Sequence, residues 1–218
     1  MRSPVFLLGM ALVVPAAWGH GVDHTSGAKP QDEAVVPVPS RTAKGPRAYF
    51  GDSELVTQDG RKVRFYSDML RDRVAVVNVI YTNCKDACPL ITERLNEVRR
   101  ELGDLFGSRV FFVSISSDPE RDTPQALKKF AQVHHADAAG WTFLTGSRAS
   151  IDHVLGKLGQ SGQGAEDHST LLLILDVDAK RMRKVLPHLP AQLIAEHVRR
   201  IASAEKRAPA GLSGAGPR

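Results

Sequence analysis

Cysteine is scarce in this chain of 218 residues: there are two, Cys84 and Cys88, both within Tyr81-Thr-Asn-Cys-Lys-Asp-Ala-Cys-Pro89. One pair is half the usual ligand set of a closed zinc site, which argues against structural zinc. The pair also has three residues between the thiols, where the redox thioredoxin motif has two. No internal repeat is visible, and no nucleic-acid motif accompanies the basic residues. Long apolar runs are missing too. The longest near the start, Val5 to Val14, is too short to span a bilayer comfortably. No lipobox cysteine is present.

What the chain does have is apolar residues for a core: 42% of it is hydrophobic, enough for one domain with tails. Arg2, the run Val5 to Val14 and the small residues of Ala17-Trp18-Gly19 read as a secretory signal over 1–19. The mature protein is then expected in an oxidising compartment, most simply the bacterial periplasm, where a thiol pair tends to be oxidised. Residues 20–47, rich in Pro, Gly, Ser and Ala, read as a flexible leader, and 206–218 as a disordered tail. Residues 48–205 remain for the folded domain. The net charge is +5, with late basic residues Lys180, Arg181, Arg183, Lys184, Arg199, Arg200, Lys206 and Arg207. They read as a solvated face, suited to an acidic protein or an anionic membrane surface.

Within the domain, strand and helix patterns alternate. Glu54 to Thr57 and Lys62 to Phe65, joined through Asp59-Gly60, read as an N-terminal β-hairpin. Arg73 to Tyr81 and Val110 to Ser116 are β-branched and apolar on both faces, as in buried strands. Short strands follow at Trp141 to Leu144, Ser169 to Val177 and Met182 to Leu186. Helical spacing appears over Ala87 to Leu102, Pro124 to Val133, Ile151 to Leu158 and Gln192 to Ala202. Alternation of this kind predicts an α/β fold with a central mixed β-sheet flanked by helices. The cysteine segment lies where a buried strand hands over to a helix, the usual place for chemistry in such folds.

If that helix begins near Cys84, positions i and i+4 place both sulfurs on one face. That arrangement suits either a disulfide or a shared soft metal ion. A bridge at this spacing closes too small a loop to stabilise the fold much. A metal site would need a further ligand from elsewhere, and two thiolates with one imidazole would suit copper. Among eight histidines the best placed is His168, between the glycine-containing segment 159–164 and the apolar run Leu171 to Leu175. A surface-loop histidine with no ligand role is the competing reading. His134-His135 lies at a helix end. His153, His188 and His197 have no cysteine nearby in sequence. His20 becomes the new N-terminus if cleavage follows Gly19, and with His24 could chelate copper, although an incidental polar leader explains both residues.

Four segments together resemble a known family: the cysteine segment Tyr81 to Pro89; Val113-Ser-Ile-Ser-Ser-Asp-Pro-Glu-Arg-Asp-Thr-Pro124; Trp141-Thr-Phe-Leu-Thr-Gly146; and Asp167-His-Ser-Thr170 leading into Leu171-Leu-Leu-Ile-Leu-Asp176. In order and spacing, over about Tyr49 to Ile201, they are similar to the SCO/SenC family. The resemblance implies a thioredoxin-like fold in which Cys84, Cys88 and His168 bind copper as Cu(I) or Cu(II). It implies a copper metallochaperone delivering to a cuproenzyme such as a cytochrome c oxidase subunit, at the dinuclear copper centre. The alternative it carries is a thiol-disulfide reductase acting on the cysteines of a copper-site target. Cys84 would then attack and Cys88 resolve, and the two would form a disulfide when oxidised, with a thioredoxin-like reductant as partner. Neither nucleic acid nor a transmembrane segment of the mature chain is expected. The chain departs from the family at Lys85, where proline is common, in its cleavable signal in place of an anchor, and in the short loop before His168. Thr82-Asn83-Cys84 also loosely resembles a peroxiredoxin Thr-x-x-Cys, but is one residue short and lacks the upstream proline.

Overall fold

A computed structural model describes residues 45–160 and 169–203. The secretory signal, His20 and His24, nearly all of the leader, His168 and the tail lie outside the described residues. In chain order the elements are α1 (Pro46–Phe50), β1 (Glu54–Thr57), β2 (Lys62–Arg64), a π-type turn (Phe65–Leu70), β3 (Val74–Ile80), α2 (Ala87–Leu102), a 3-10 turn (Gly103–Leu105), β4 (Val110–Ser116), α3 (Pro124–Val133), β5 (Trp141–Thr145), α4 (Arg148–Leu158), β6 (Leu172–Asp176), β7 (Arg181–Val185) and α5 (Ala191–Ser203).

All seven residues of β3 are buried. A strand apolar on both faces has to sit mid-sheet with a layer over each face. It pairs in parallel with β4 from Val74↔Val110 to Ile80↔Ser116, and antiparallel with β6. The sheet is mixed, with seven strands in the order β2-β1-β5-β4-β3-β6-β7. Antiparallel β1 and β2 form its outer pair.

Alternation along β3 and β4 sends side chains to opposite faces. One face carries Val76, Ile80 and Phe112 into a core with Leu95 and Val98 of α2, Leu127 of α3 and Val198 of α5. The other carries Val77 and Ile115 into a core with Phe50, Phe65 and Ile151. The apolar residues of α2 (Ile91, Leu95, Val98, Leu102) recur every three or four positions, which turns one helical stripe onto the sheet. Thr123 starts α3 by accepting the Ala126 N–H at 3.2 Å. Ser147 starts α4 in the same way, and Gly159 ends it at φ 65, a left-handed conformation that glycine adopts without strain. Among the described residues, no helix is long and apolar enough to cross a membrane.

Several boundaries differ from the sequence-based pattern by up to three residues, as at the starts of α4 and β6, and two differences have a visible cause. The strand expected to run to Phe65 stops at Arg64, because the Asp68 carboxylate accepts the Arg64 N–H at 2.7 Å and folds the chain into a turn. The expected leader overlaps α1 at Pro46 and Arg47. There Phe50 is anchored edge-on against Phe65, with ring centroids 6.4 Å apart, a contact that composition alone does not reveal.

Leu95 is fully buried between α2 and the sheet. Leu95→Ala is expected to cost about 2–5 kcal/mol, read as a lowered urea midpoint at unchanged slope.

Candidate metal centre

Parallel pairing brings the carboxyl ends of β3 and β4 side by side, and Ser117 N–H closes their junction on Ile80 C=O at 2.8 Å. From Ile80 the chain turns through Tyr81-Thr82-Asn83, closed by Cys84 N–H on Tyr81 C=O at 3.1 Å. Helix α2 then begins at Ala87, after Asp86 at φ −116, ψ −80. The helical spacing read over Ala87 to Leu102 coincides with α2, and the condition that the helix begin near Cys84 is not met. Pro89 gives the reason. In a helix starting at Cys84 it would fall past the first turn, where its ring meets the carbonyl four residues back and its missing N–H breaks the ladder. Starting at Ala87 puts Pro89 in the first turn, where no N–H partner is needed.

The sulfurs are brought together in another way. The first N–H groups of a helix lack intrahelical acceptors. The Cys88 N–H uses the Cys84 Sγ as its acceptor, at 3.3 Å. Cys84 thus lies outside the helix and places its sulfur over the helix start. Cys88 is 1% exposed and belongs to the core beneath α2, whereas Cys84 is half-buried at its edge. Both are free thiols. The Thr92 hydroxyl further ties Cys88, donating to its carbonyl at 2.8 Å.

This asymmetry separates the two acidities. Burial pushes the Cys88 thiol up to about 12, reinforced by its hydrogen bond to Cys84 and by the charges of Cys84 and Asp122. Burial also pushes Cys84 up, but hydrogen bonds from the Cys88 thiol and N–H, the Asp86 backbone and the Tyr81 side chain outweigh it, leaving Cys84 below the ordinary thiol value. A sulfur at a helix start surrounded by donors favours its thiolate.

The structure adds residues that pattern reading did not single out. Asp122, 1% exposed, accepts the Thr82 N–H at 3.1 Å, the Thr82 hydroxyl at 2.5 Å and the Ser116 hydroxyl at 2.5 Å. Thr82 and Asp122 stand in two of the recognised segments, and only their spatial contact reveals a shared role. Lys85 is exposed. Of the histidines, His134 packs its ring on Phe130 with centroids 4.4 Å apart, and burial followed by the charge of His135 lowers its basicity. His197 lies 3.4 Å from the Arg183 guanidinium. His188 lines a groove with Ala87, Leu90, Ile91 and Thr170. Among the described residues, no three His, Cys, Asp or Glu side chains gather to hold a metal. Cys84 and Cys88 supply two soft donors, which suit a soft ion such as copper in its reduced state.

The acidities predict how the reduced protein meets iodoacetamide. Cys84 is modified first, with a rate midpoint below 9.0. Cys88 stays unmodified across that range until the protein unfolds. Equal labelling of the two thiols in the folded protein at mildly alkaline pH would contradict the assigned burial.

Comparison with known proteins places this geometry. The family model described as SCO1/SenC matches residues 41–203. The SCO1 protein homolog of Bacillus subtilis is 37% identical over 96 residues, covering 44% of this chain and 48% of that protein, so the match spans about half of its length. The structure of Bradyrhizobium japonicum ScoI with copper bound superposes with a TM-score of 0.58 at 26% identity, over 69% of this chain and 97% of that one. BsSco, described as a member of the Sco family of cytochrome c oxidase assembly proteins with a disulfide switch, superposes at 0.60 with 26% identity, over 72% and 94%. The mixed sheet with helices on both faces is the thioredoxin-like architecture of these structures, as the sequence led us to expect. On the extent of the family match, the chain belongs to the SCO1/SenC family.

Proposed function

We propose that this protein is a copper carrier, in which Cys84, Cys88 and His168 hold one copper ion as cargo and pass it to a cuproenzyme, the dinuclear copper centre of a cytochrome c oxidase. The observation that carries this reading is the pair of free thiols set at one helix start, one sulfur accepting the other residue's N–H at 3.3 Å. Relatives support it: ScoI is a copper-bound structure, and BsSco belongs to a group of oxidase assembly proteins.

Two thiolates leave the third ligand to come from outside the described residues. His168 is the candidate, two positions before Thr170, which borders a groove with Ala87 and Ile91 at the start of α2. Copper binding requires both thiols to lose their protons. Because Cys88 holds its proton up to about 12 in the absence of metal, loading releases that proton, and affinity rises with pH. Release to an acceptor proceeds by ligand exchange, starting at the more accessible Cys84. The secretory signal read from the sequence over 1–19 supports a site of work outside the cytoplasm. There the Cys84–Cys88 disulfide is the oxidised, unloaded state, reset by a thioredoxin-like reductant.

The same asymmetry favours a second reading, a thiol-disulfide reductase. The Cys84 thiolate attacks a target disulfide and expels one target thiolate. Cys88, giving up its proton, then attacks the Cys84 sulfur and frees the second. The target gains two electrons, and this chain ends as the disulfide.

Metal analysis on the reduced protein and its variants separates the readings. The carrier binds one copper per chain. Cys84→Ser, Cys88→Ser and His168→Ala each weaken binding by at least the roughly 100-fold that loss of an outer-shell partner costs. A wild type without stoichiometric copper would falsify the carrier. Retained target reduction in His168→Ala, with no effect of that variant on oxidase assembly, favours the reductase.

A further inference from the structure

Strand β7 ends the sheet: it pairs with β6 on one side, and among the described residues no strand lies along its other edge. Along it, Arg181 is half-buried, Met182, Arg183 and Lys184 are exposed, and Val185 is buried. Lys180, in the turn leading into the strand, is exposed as well. Arg183 stands opposite Ile174 and Val185 opposite Leu172, both residues of the core beneath α5. Arg183 therefore projects toward α5, where its guanidinium lies 3.4 Å from His197. Leu193 and Arg200, four positions before His197 and three after it, are exposed and share its helical stripe. One surface thus runs from the β7 edge onto the outer face of α5.

Positive charge on this surface is poorly balanced. The acids nearest in sequence are engaged elsewhere: Asp176, 2% exposed, pairs with Arg109 at 3.0 Å, Asp178 accepts the Asp72 N–H at 2.7 Å, and Glu196 pairs with Arg200 at 3.7 Å. Among the described residues, no carboxylate pairs with Lys180, Arg183 or Lys184. His197 registers the field, because burial first and then the charges of Arg183 and Arg200 lower its basicity. Cations on an edge strand also guard it against pairing with another chain. Guarding does not explain the apolar side chains beside them. Met182 is 59% exposed, Leu186 46% and Leu193 42%, half of the six large apolar side chains that stand exposed among the described residues.

Cations interleaved with flexible apolar side chains suit a lipid interface. There ammonium and guanidinium groups meet phosphate, and apolar groups reach toward the acyl boundary. We propose that the β7 edge and the outer face of α5 form a docking surface for an anionic phospholipid bilayer, with Arg183 and Lys184 on the headgroups and Met182 dipping between them. Met182 and Lys184 alternate with Arg183 to the opposite face of the sheet, so the strand meets the bilayer edge-on. Pro187 and His188, just past β7, line a groove with Ala87 and Ile91 at the start of α2. The docked edge therefore lies close to the helix start that carries the thiol pair.

The test is co-sedimentation of the full chain with vesicles of phosphatidylglycerol and phosphatidylcholine in equal parts, against vesicles of phosphatidylcholine alone. Binding to the anionic vesicles is expected, at least about tenfold tighter than to the neutral ones. It is expected to disappear in about 1 M salt, where charges are screened beyond about 3 Å. Arg183→Glu combined with Lys184→Glu is expected to weaken binding at least about tenfold, and Met182→Ser about threefold. Arg183→Lys combined with Lys184→Arg is expected to stay within about twofold of wild type, since the charge is kept. Equal binding to both kinds of vesicle would place attachment in the apolar run Val5 to Val14 and overturn the proposal. Wild-type binding by the folded double-Glu chain, or by Met182→Ser, overturns it as well. Retention on immobilised polyglutamate without binding to anionic vesicles also overturns it, and makes the partner an acidic protein. Should the double-Glu chain fail to fold, Lys184→Ala decides in its place: about a fivefold loss is expected, and no loss refutes the proposal.

Discussion

One hydrogen bond organises the site: the Cys88 N–H, left without an acceptor at the start of α2, donates to the Cys84 sulfur. Cys88 cannot adjust, because its side chain is part of the core and its helix is held to the sheet by Ile91, Leu95 and Val98. The sulfur pair is therefore formed by bringing Cys84 to a fixed point. Everything that shapes residues 81–84 then matters to the chemistry, including the parallel ends of β3 and β4 and the turn between them.

That division of labour also produces the chemical asymmetry. A sulfur sealed in an apolar core resists ionisation, and a sulfur at the rim surrounded by donors accepts it. The accessible thiolate serves equally as the first point of contact for a metal or for a disulfide. The buried thiol completes either event after losing a proton. The two readings proposed above, copper carriage and thiol exchange, thus draw on one geometry and differ in whether a third ligand is needed. Asp122 sits at the junction of the turn, β4 and α3, where Thr82 and Ser116 donate to its carboxylate.

Much of this was legible in the sequence, because the signals were local. The apolar, β-branched stretch of β3, broken only at Asn78, read directly as a central strand, and the helical spacing of Pro124 to Val133 matched α3. The thiol pair was legible as well, and the four segments identified the family. The route by which the sulfurs meet was not. Spacing of i and i+4 suggested a shared helix face, but Pro89 forces the helix to start later and leaves Cys84 to cap it from outside. Helix α1 was hidden because its stability comes from Phe50 packing on Phe65, a contact between separate segments. The Thr82–Asp122 link joins residues 40 apart in sequence, and no local pattern encodes such a pairing.

The central claim is that one copper ion is held within a single chain by both thiols and a histidine nitrogen. X-ray absorption at the copper edge, on the reduced protein loaded with one equivalent of Cu(I), tests this directly. The account predicts two sulfur scatterers and one imidazole nitrogen, with no copper–copper distance. A shell of nitrogen and oxygen alone, or three sulfurs with a copper–copper vector from ions bridging two chains, would contradict it.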